Sequence, residues 1–464
     1  MSSNYSKLSI VKRWVFLLIP CPLSTYLFRN LINNHIEQNK LEAAKFVELA
    51  TLAYGSNYYF SSRFLNFPFE LGQINIDGET KKYFFRCLHN LRRAPELRKK
   101  LSLELTDVVR KIPKNKLDAQ SWKLFSLILS GFGFMKAGTI ARKNFVEVAI
   151  DEVNKNCASS RTIHQLIRGL LESRRFEDVN KYIQEFTVEL GFTSINNPYV
   201  DYMTMMHQIR PRVDSSATLS KSEEDVIFQA LVRDKSVALV ATAEIQSEYG
   251  EDIDSMDTVA RVKFQGLEIL PDKKLAGARC DITAYTEDYV IKFQSLSSGN
   301  ATYLDFLDQV KIIVLKQKTR QKIGNNTTRN MTVWAPTFLT TATSGTLLLF
   351  DMARLEPAKI KLFGFNFYTS RHIYNSTLLN FFTYADSMRD FGLPKNWFKF
   401  SSERKNSAII AAGFVSHDPR SDFLLVKNLY ELSGLIDGTP EVLEILNLTA
   451  DEYDARLEEM LGDW

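Results

Sequence analysis

Ser236-Val237-Ala238-Leu239-Val240-Ala241 is a short apolar run of the kind that forms a strand buried inside a sheet. A second candidate strand, Lys359-Ile360-Lys361-Leu362-Phe363-Gly364-Phe365, alternates apolar and polar residues before a wholly apolar end. Helical stretches separate the two. Strands spaced among helices predict an α/β fold, a Rossmann-like domain on a parallel sheet. In such sheets ligands bind beyond the carboxyl ends of the strands.

Upstream the pattern changes. Residues up to about 210 read mostly as helix. Three segments each look like a turn followed by a helix start: Asn39-Lys40-Leu41-Glu42-Ala43-Ala44, Phe134-Met135-Lys136-Ala137 and Arg174-Arg175-Phe176-Glu177-Asp178-Val179. After the first, Ala43, Phe46, Val47 and Ala50 fall at helical spacing. The pattern predicts an all-α, helical-repeat-like domain over 1–210, though no strict period of about 34 residues is present. Such a domain is either a concave docking surface or an ordinary helical bundle. Pro211 to Ser222 is rich in Ser and reads as a linker, and Glu223-Glu224 opens a helix. The α/β domain is then expected over 223–464.

The 464 residues are 45% hydrophobic and 24% charged, which excludes a disordered, collagen-like or disulfide-stapled chain. With 58 basic and 54 acidic residues the net charge is +4, too balanced for a general nucleic-acid binder. Cys21, Cys87, Cys157 and Cys280 lie far apart and form neither a zinc cassette nor a disulfide framework. The count of 32 Phe and 18 Tyr is high, and composition alone gives no reason for it.

Charge is uneven at the two ends. The first 36 residues carry Lys7, Lys12, Arg13 and Arg29 and no acid, around an apolar run from Trp14 to Ile19. That run is far shorter than the roughly 20 residues a spanning helix needs. It reads either as a peripheral contact with an anionic membrane surface or as a first helix docked on the domain. From Glu441 to Asp463 the chain is acidic, and Val442, Ile445 and Leu446 predict an amphipathic helix.

Common nucleotide and metal signatures, GxxxxGK[ST], GxGxxG after a strand and HExxH, are absent. Asp252-Ile253-Asp254 is a DxD, most simply read as solvated or capping carboxylates, and no metal ligand set is expected. Three segments stand in a fixed order instead. The first is Val237 to Val240 with Gly250-Glu251-Asp252-Ile253-Asp254-Ser255-Met256-Asp257-Thr258-Val259-Ala260-Arg261. The second is Thr343-Ser344-Gly345 before an apolar helix through Leu347, Leu348 and Leu349, then Leu362-Phe363-Gly364-Phe365. The third is a pair of histidine sites, His372-Ile373-Tyr374 and His417-Asp418.

Together these segments resemble the motifs of the glycosyltransferase family 29 sialyltransferases, in a bacterial-type form, across about 235–425. The first resembles their large sialylmotif, the second the small sialylmotif, His372-Ile373-Tyr374 the third motif, and His417 the histidine of the very small motif. The family's Gly-Asn-Ser after the first strand is here Ala241-Thr242-Ala243, and its Asn two residues after the arginine is Lys263. Asn375 and Asp422 stand where Glu would be expected. The disulfide joining the large and small motifs in animal members has no counterpart, in keeping with a reducing cytoplasmic compartment.

The resemblance implies an inverting, metal-independent transfer of a CMP-activated acidic sugar to a glycan or lipid-linked glycan acceptor, with no cofactor. CMP here is cytidine monophosphate. Donor-binding residues would be Ala241, Thr242, Arg261, Lys263, Thr343, Ser344 and Gly345. A Ser-Gly turn opening a helix can present N–H groups and a positive dipole end to the leaving phosphate. His372, if protonated, would donate to that phosphate. His417 would accept the acceptor hydroxyl's proton. Two alternatives stand beside this reading: a CMP-Kdo transferase, and a non-catalytic assembly protein with a degenerate transferase domain. Arg261 would otherwise be a structural ion-pair partner of Asp254 or Asp257, and Ser344-Gly345 a plain helix start. His35, His89, His164 and His207 read as surface or packing residues. Lys316, Lys318, Arg320, Lys322 and Arg329 read as a solvated basic loop, or as an attractor for an acidic acceptor or membrane phosphates.

Overall fold

The computed structural model describes residues 95–131, 133–191, 197–206, 222–264, 272–286, 310–316, 327–331, 335–370 and 417–462. In chain order, α1 (Pro95–Lys111), α2 (Ala119–Gly131), α3 (Met135–Asn154), α4 (Ser160–Glu172), α5 (Phe176–Glu185), α6 (Pro198–Met205) and α7 (Glu223–Val232) lead into β1 (Ser236–Val240). Then come α8 (Gly250–Ser255), β2 (Thr258–Val262), α9 (Lys273–Ala276), β3 (Ile282–Tyr285), β4 (Ile312–Leu315) and β5 (Thr328–Asn330). The chain closes with α10 (Ser344–Ala353), β6 (Lys359–Phe363), α11 (Pro419–Ser433), β7 (Ile436–Gly438), α12 (Pro440–Leu446) and α13 (Ala450–Gly462).

The chain divides into two compact units, residues 1–158 with 454–464, and residues 159–453. In the first, α1, α2 and α3 enclose Trp122, Phe134 and Phe145, all without solvent exposure. The end of α13 is fastened there by Arg98 Nη1 donating to Leu461 O (2.6 Å) and by Thr139 Oγ1 donating to Asp454 Oδ2 (2.7 Å). Helix α3 begins at Met135 and α5 at Phe176, where the sequence places helix starts. The third expected start, at 39–50, and the basic N-terminal segment lie outside the described residues.

Among the described residues the second unit carries a seven-stranded sheet in the order β5-β4-β3-β2-β1-β6-β7. Every pairing is parallel. The two strands read from sequence are β1 and β6, and they are direct neighbours in register, Val237 opposite Ile360 and Val240 opposite Phe363. All residues of β2, β3 and β4 are buried, as a sheet covered on both faces demands. From β1 the chain builds outward to β5, then returns to the other side of β1 with β6 and β7. This α/β arrangement is Rossmann-like, and its direction reverses between β1 and β6.

Helices α4 to α6 belong to this unit. Arg168 Nη1 donates to Thr337 O (3.2 Å), Tyr202 Oη to Leu425 O (2.7 Å) and Asn428 Nδ2 to Leu171 O (3.0 Å). These buried bonds put the division at 158/159, ahead of the 211–222 segment, of which residues 211–221 are outside the described residues. His164 is a packing residue as read, buried and bonded through Nδ1 to Tyr199 Oη (2.8 Å), and burial lowers its pKa to about 4. The acidic C-terminal stretch forms two helices instead of one. Thr449 starts the second with a capping box: its N–H donates to Glu452 Oε2 (2.7 Å), and Glu452 N–H donates back to Thr449 Oγ1 (3.2 Å). Among the described residues no helix is long and apolar enough to cross a membrane.

Aromatic side chains fasten the loop after β6 to α11. Phe365 tilts against Phe367 (5.7 Å between centroids), Phe367 meets Phe423 edge-on (6.1 Å), and Phe423 stacks on Tyr453 (3.9 Å). Tyr453 Oη also donates to Phe367 O (2.6 Å). Phe367 and Tyr368 hold positive φ values of 43° and 63°, a backbone that bulky residues adopt only when their surroundings fix it.

Candidate active site at the carboxyl ends of the strands

At the reversal point the loops leaving β1 and β6 are stitched together. Ala241 N–H donates to Phe363 O (2.8 Å) and Ala243 N–H to Gly364 O (3.2 Å). Gly364 turns here with φ 64°, and a Cβ on it would lie 3.1 Å from Ala243 O. The Ala241 N–H is thus spent within the sheet. Arg261 is engaged within the chain. It is buried, and its guanidinium donates to the backbone oxygens of Arg279 (2.7 Å) and Ala276 (2.7 Å). Burial lowers its pKa. Its work is to hold the turn after α9.

The DxD carboxylates serve separate structural partners. Asp254 accepts the N–H groups of Ala278 (2.7 Å) and Arg279 (2.9 Å), and Asp252 pairs with Lys361 (3.0 Å). Among the described residues no group of His, Cys, Asp and Glu forms a metal-binding cluster.

The second sequence segment and the His417-Asp418 half of the third do come together. Thr343 caps α10, its Oγ1 accepting Thr346 N–H (3.3 Å), and the N–H groups of Ser344 and Gly345 in the first turn have no intrahelical acceptor. A Cβ on Gly345 would lie 3.2 Å from the Phe365 ring and 3.7 Å from Val262 Cγ2. The positive end of α10 therefore rests against the ends of β2 and β6.

His417 stands just before α11, where Asp418 is the N-cap and Pro419 takes the first helical position. His417 is bridged in parallel to Thr341, and its Nδ1 lies 3.1 Å from Thr341 O. A carbonyl only accepts, so this nitrogen carries the proton and the acceptor lone pair belongs to Nε2.

The first turn of α11 clamps the whole 338–343 segment. Leu339 N–H donates to Asp418 Oδ2 (2.8 Å), Phe338 N–H to Ser421 Oγ (3.0 Å) and Thr343 N–H to Asp422 Oδ2 (2.9 Å). The Ser421 hydroxyl itself faces two carboxylates, Asp418 and Glu172. The two halves of the site are held by buried polar bonds.

Lys263 and Lys316 complete the charge pattern. Their backbone N–H groups bond to consecutive residues at the end of β3, Lys263 to Ala284 O (2.9 Å) and Lys316 to Tyr285 O (2.9 Å), so they flank β3 from either side. Lys316 Nζ reaches Ala342 O (2.6 Å), immediately before the α10 cap. Burial lowers its pKa to about 8, opposed by Asp422 and reinforced by Lys263. Burial likewise pushes the Asp422 carboxyl up to about 7, against the bonds from Thr343. Both groups are charged together only in a narrow window between those values.

The expected basic loop is not one feature. Lys316 belongs to this cluster, Arg329 is buried on β5, and Lys318, Arg320 and Lys322 lie outside the described residues. His372 and Tyr374 also lie outside them. A reading of the run as charge alone missed Lys316; its place directly after the apolar Ile312-Ile313-Val314-Leu315 is the signal that marks it as a strand-end residue.

These titrations predict a pH dependence. The folded chain binds the Asp422 proton more tightly than the unfolded chain, whose carboxyl titrates near 3.8. Stability should therefore fall as pH rises from about 4 to about 7, by at most about 1.4 kcal/mol per unit, and change no further above that from this group. Lys316 acts oppositely, with stability returning between about 8 and 10.5. Asp422→Asn should flatten the fall below pH 7, checked by urea unfolding at several pH values. An unchanged slope in the variant would remove Asp422 as its source.

No family model matches the chain, and no curated protein or solved structure matches it significantly.

Proposed function

We propose that the sheet-bearing unit is an inverting glycosyltransferase that moves a CMP-activated acidic sugar onto a glycan or lipid-linked glycan acceptor, without a metal. The observation that carries this reading is the meeting of separate segments at the carboxyl ends of the strands. The Thr343-Ser344-Gly345 helix start abuts Val262 and Phe365, and His417 is bridged to Thr341 within the same short segment.

In this reaction the acceptor oxygen attacks the anomeric carbon while the bond from that carbon to the phosphate oxygen breaks. His417 takes the acceptor's proton at Nε2. The N–H groups of Ser344 and Gly345 and the dipole of α10 meet the charge that grows on the departing phosphate. Lys263, in place of an amide, adds a cation after β2, and the altered Ala241-Thr242-Ala243 loop keeps CMP-Kdo as a second donor to be compared. The helical region over 1–210 is read as a helical-repeat-like domain, either an ordinary bundle or a docking surface. The basic N-terminus is read either as a peripheral membrane contact or as a first helix docked on the domain.

The test is incubation of the full chain with CMP-sialic acid and, separately, CMP-Kdo, together with a panel of glycan acceptors. CMP release coupled to transfer is the expected result. No release above a protein-free blank with either donor would leave the non-catalytic assembly reading in its place.

A further inference from the structure

Between Lys316 and Asp422 there is an unfilled electrostatic requirement. Lys316 has three N–H donors, and Ala342 O is its hydrogen-bond partner among the described residues. Asp422 is 2% exposed; its Oδ2 accepts from Thr343, while its Oδ1 is buried with no partner. The two side chains feel one another electrostatically, yet they form no ion pair. A buried carboxylate oxygen left without a donor is costly, and the half-buried Lys316 ammonium beside it has donors left to offer.

One kind of group satisfies both at once: an oxyanion that accepts from the ammonium and shares a proton with the carboxyl. We propose that Lys316 and Asp422 form the recognition pair of a phosphate-monoester subsite, with Lys263 as the second cation and the first turn of α10 behind it. This rests on the transferase reading above and deepens it, since it adds Lys316, which lies outside the three motif segments and was read only as part of a basic stretch.

The chemistry fits a phosphate better than a sugar carboxylate. A phosphate monoester has a second ionisation near pH 6 and so carries a proton to share close to neutrality. A simple carboxylate brings no proton of its own there and shares one only while Asp422 holds it, so it fits on the acid side alone, whereas a phosphate monoester can supply the proton itself. Two lysines about 10 Å apart across β3, judged from the spacing of adjacent strands, also suit a group with more than one anionic oxygen. The charged groups acting on this pair are Asp418 at the start of α11 and Lys263 after β2, with the first turn of α10 beside them.

The experiment labels lysines of the intact full chain with limiting acetic anhydride and follows the Lys316 peptide by mass spectrometry. The probes are inorganic phosphate, CMP, cytidine and free N-acetylneuraminate. Phosphate and CMP are expected to slow labelling of Lys316 about tenfold while cytidine leaves it unchanged. In calorimetry Lys316→Met should weaken CMP binding about tenfold and Lys316→Arg much less, with cytidine affinity equal in all three proteins. Protection by N-acetylneuraminate but not by phosphate would overturn the assignment. So would CMP binding that leaves Lys316 as reactive as before, and in that case the transferase reading survives. Protection by inorganic phosphate with no affinity for CMP or cytidine would uphold the subsite and defeat the CMP reading. Labelling of the unaltered chain keeps the inference testable if a variant fails to fold.

Discussion

Arg329→Met should destabilise the sheet-bearing unit by about 3–5 kcal/mol, the range for removing one partner of a buried ion pair. Asp351 lies on α10 with no solvent exposure, and its carboxylate is held by Arg329 through Nη1 and Nη2 and by Arg354 Nε (3.1 Å). Arg329 is 4% exposed, donates also to Asp225 (2.6 Å), and lies 4.3 Å from the centre of the Phe228 ring. Methionine fills a similar volume but takes both Arg329 contacts away from the buried Asp351 carboxylate. Removing both partners is a different matter, because the desolvation cost of the carboxylate goes with it. Arg329→Met combined with Asp351→Leu is therefore expected to recover more than half of the loss. Urea unfolding followed by far-ultraviolet circular dichroism measures both. A single variant within about 1 kcal/mol of the original chain would show that the pair contributes no more than an exposed one.

That network explains a strand that pattern reading passes over. Strand β5 is Thr328-Arg329-Asn330, polar at every position, and a sequence with Arg at its centre and basic residues before it reads as a solvated loop. Its burial becomes intelligible once Asp225 from α7 and Asp351 from α10 are placed around it, and neither is near in sequence. Strands β1 and β6 were legible because their apolar character is local, and the return of the chain to the other side of β1 follows from their parallel pairing. Helix α10 was legible for a similar reason, since an almost unbroken apolar stretch follows Thr343-Ser344-Gly345. Its one charge, Asp351, gave no hint of its partner.

The candidate site divides along the same line. Asp418-Pro419 announces the start of a helix, with a capping carboxylate and a proline in the first turn, so the position of His417 relative to α11 is readable. The clamp is not: Leu339, Phe338 and Thr343 present backbone N–H groups, which any residue type supplies, and their acceptors lie about eighty positions away. Arg261 misleads in the other direction. An arginine at the end of a motif suggests ligand recognition, whereas its carbonyl acceptors at 276 and 279 are invisible to pattern reading. The aromatic excess gains a reason from the Phe365, Phe367, Phe423 and Tyr453 ladder, which fixes a strained loop beside the α10 start.

His417→Ala should lower the proposed sugar transfer by about 10²–10⁴-fold, the contribution typical of a positioned general base. The expectation follows from tautomer and placement. With Nδ1–H directed at Thr341 O (3.1 Å), the imidazole is oriented by the same segment that delivers Ser344 and Gly345, so removing the ring leaves the phosphate donors in place. Affinity for CMP should then change little while turnover falls, which separates a proton acceptor from a residue that merely holds the loop. Added imidazole should restore part of the rate in His417→Ala, because a diffusible base can occupy the vacated space. Asp418→Asn provides the contrast. Its backbone acceptor role at Leu339 is kept in part by the amide oxygen, so it should disturb the position of His417 and reduce turnover less, with no rescue by imidazole. Equal losses in the two variants, or a fall in CMP affinity that matches the fall in rate, would make His417 a structural strut and not the base.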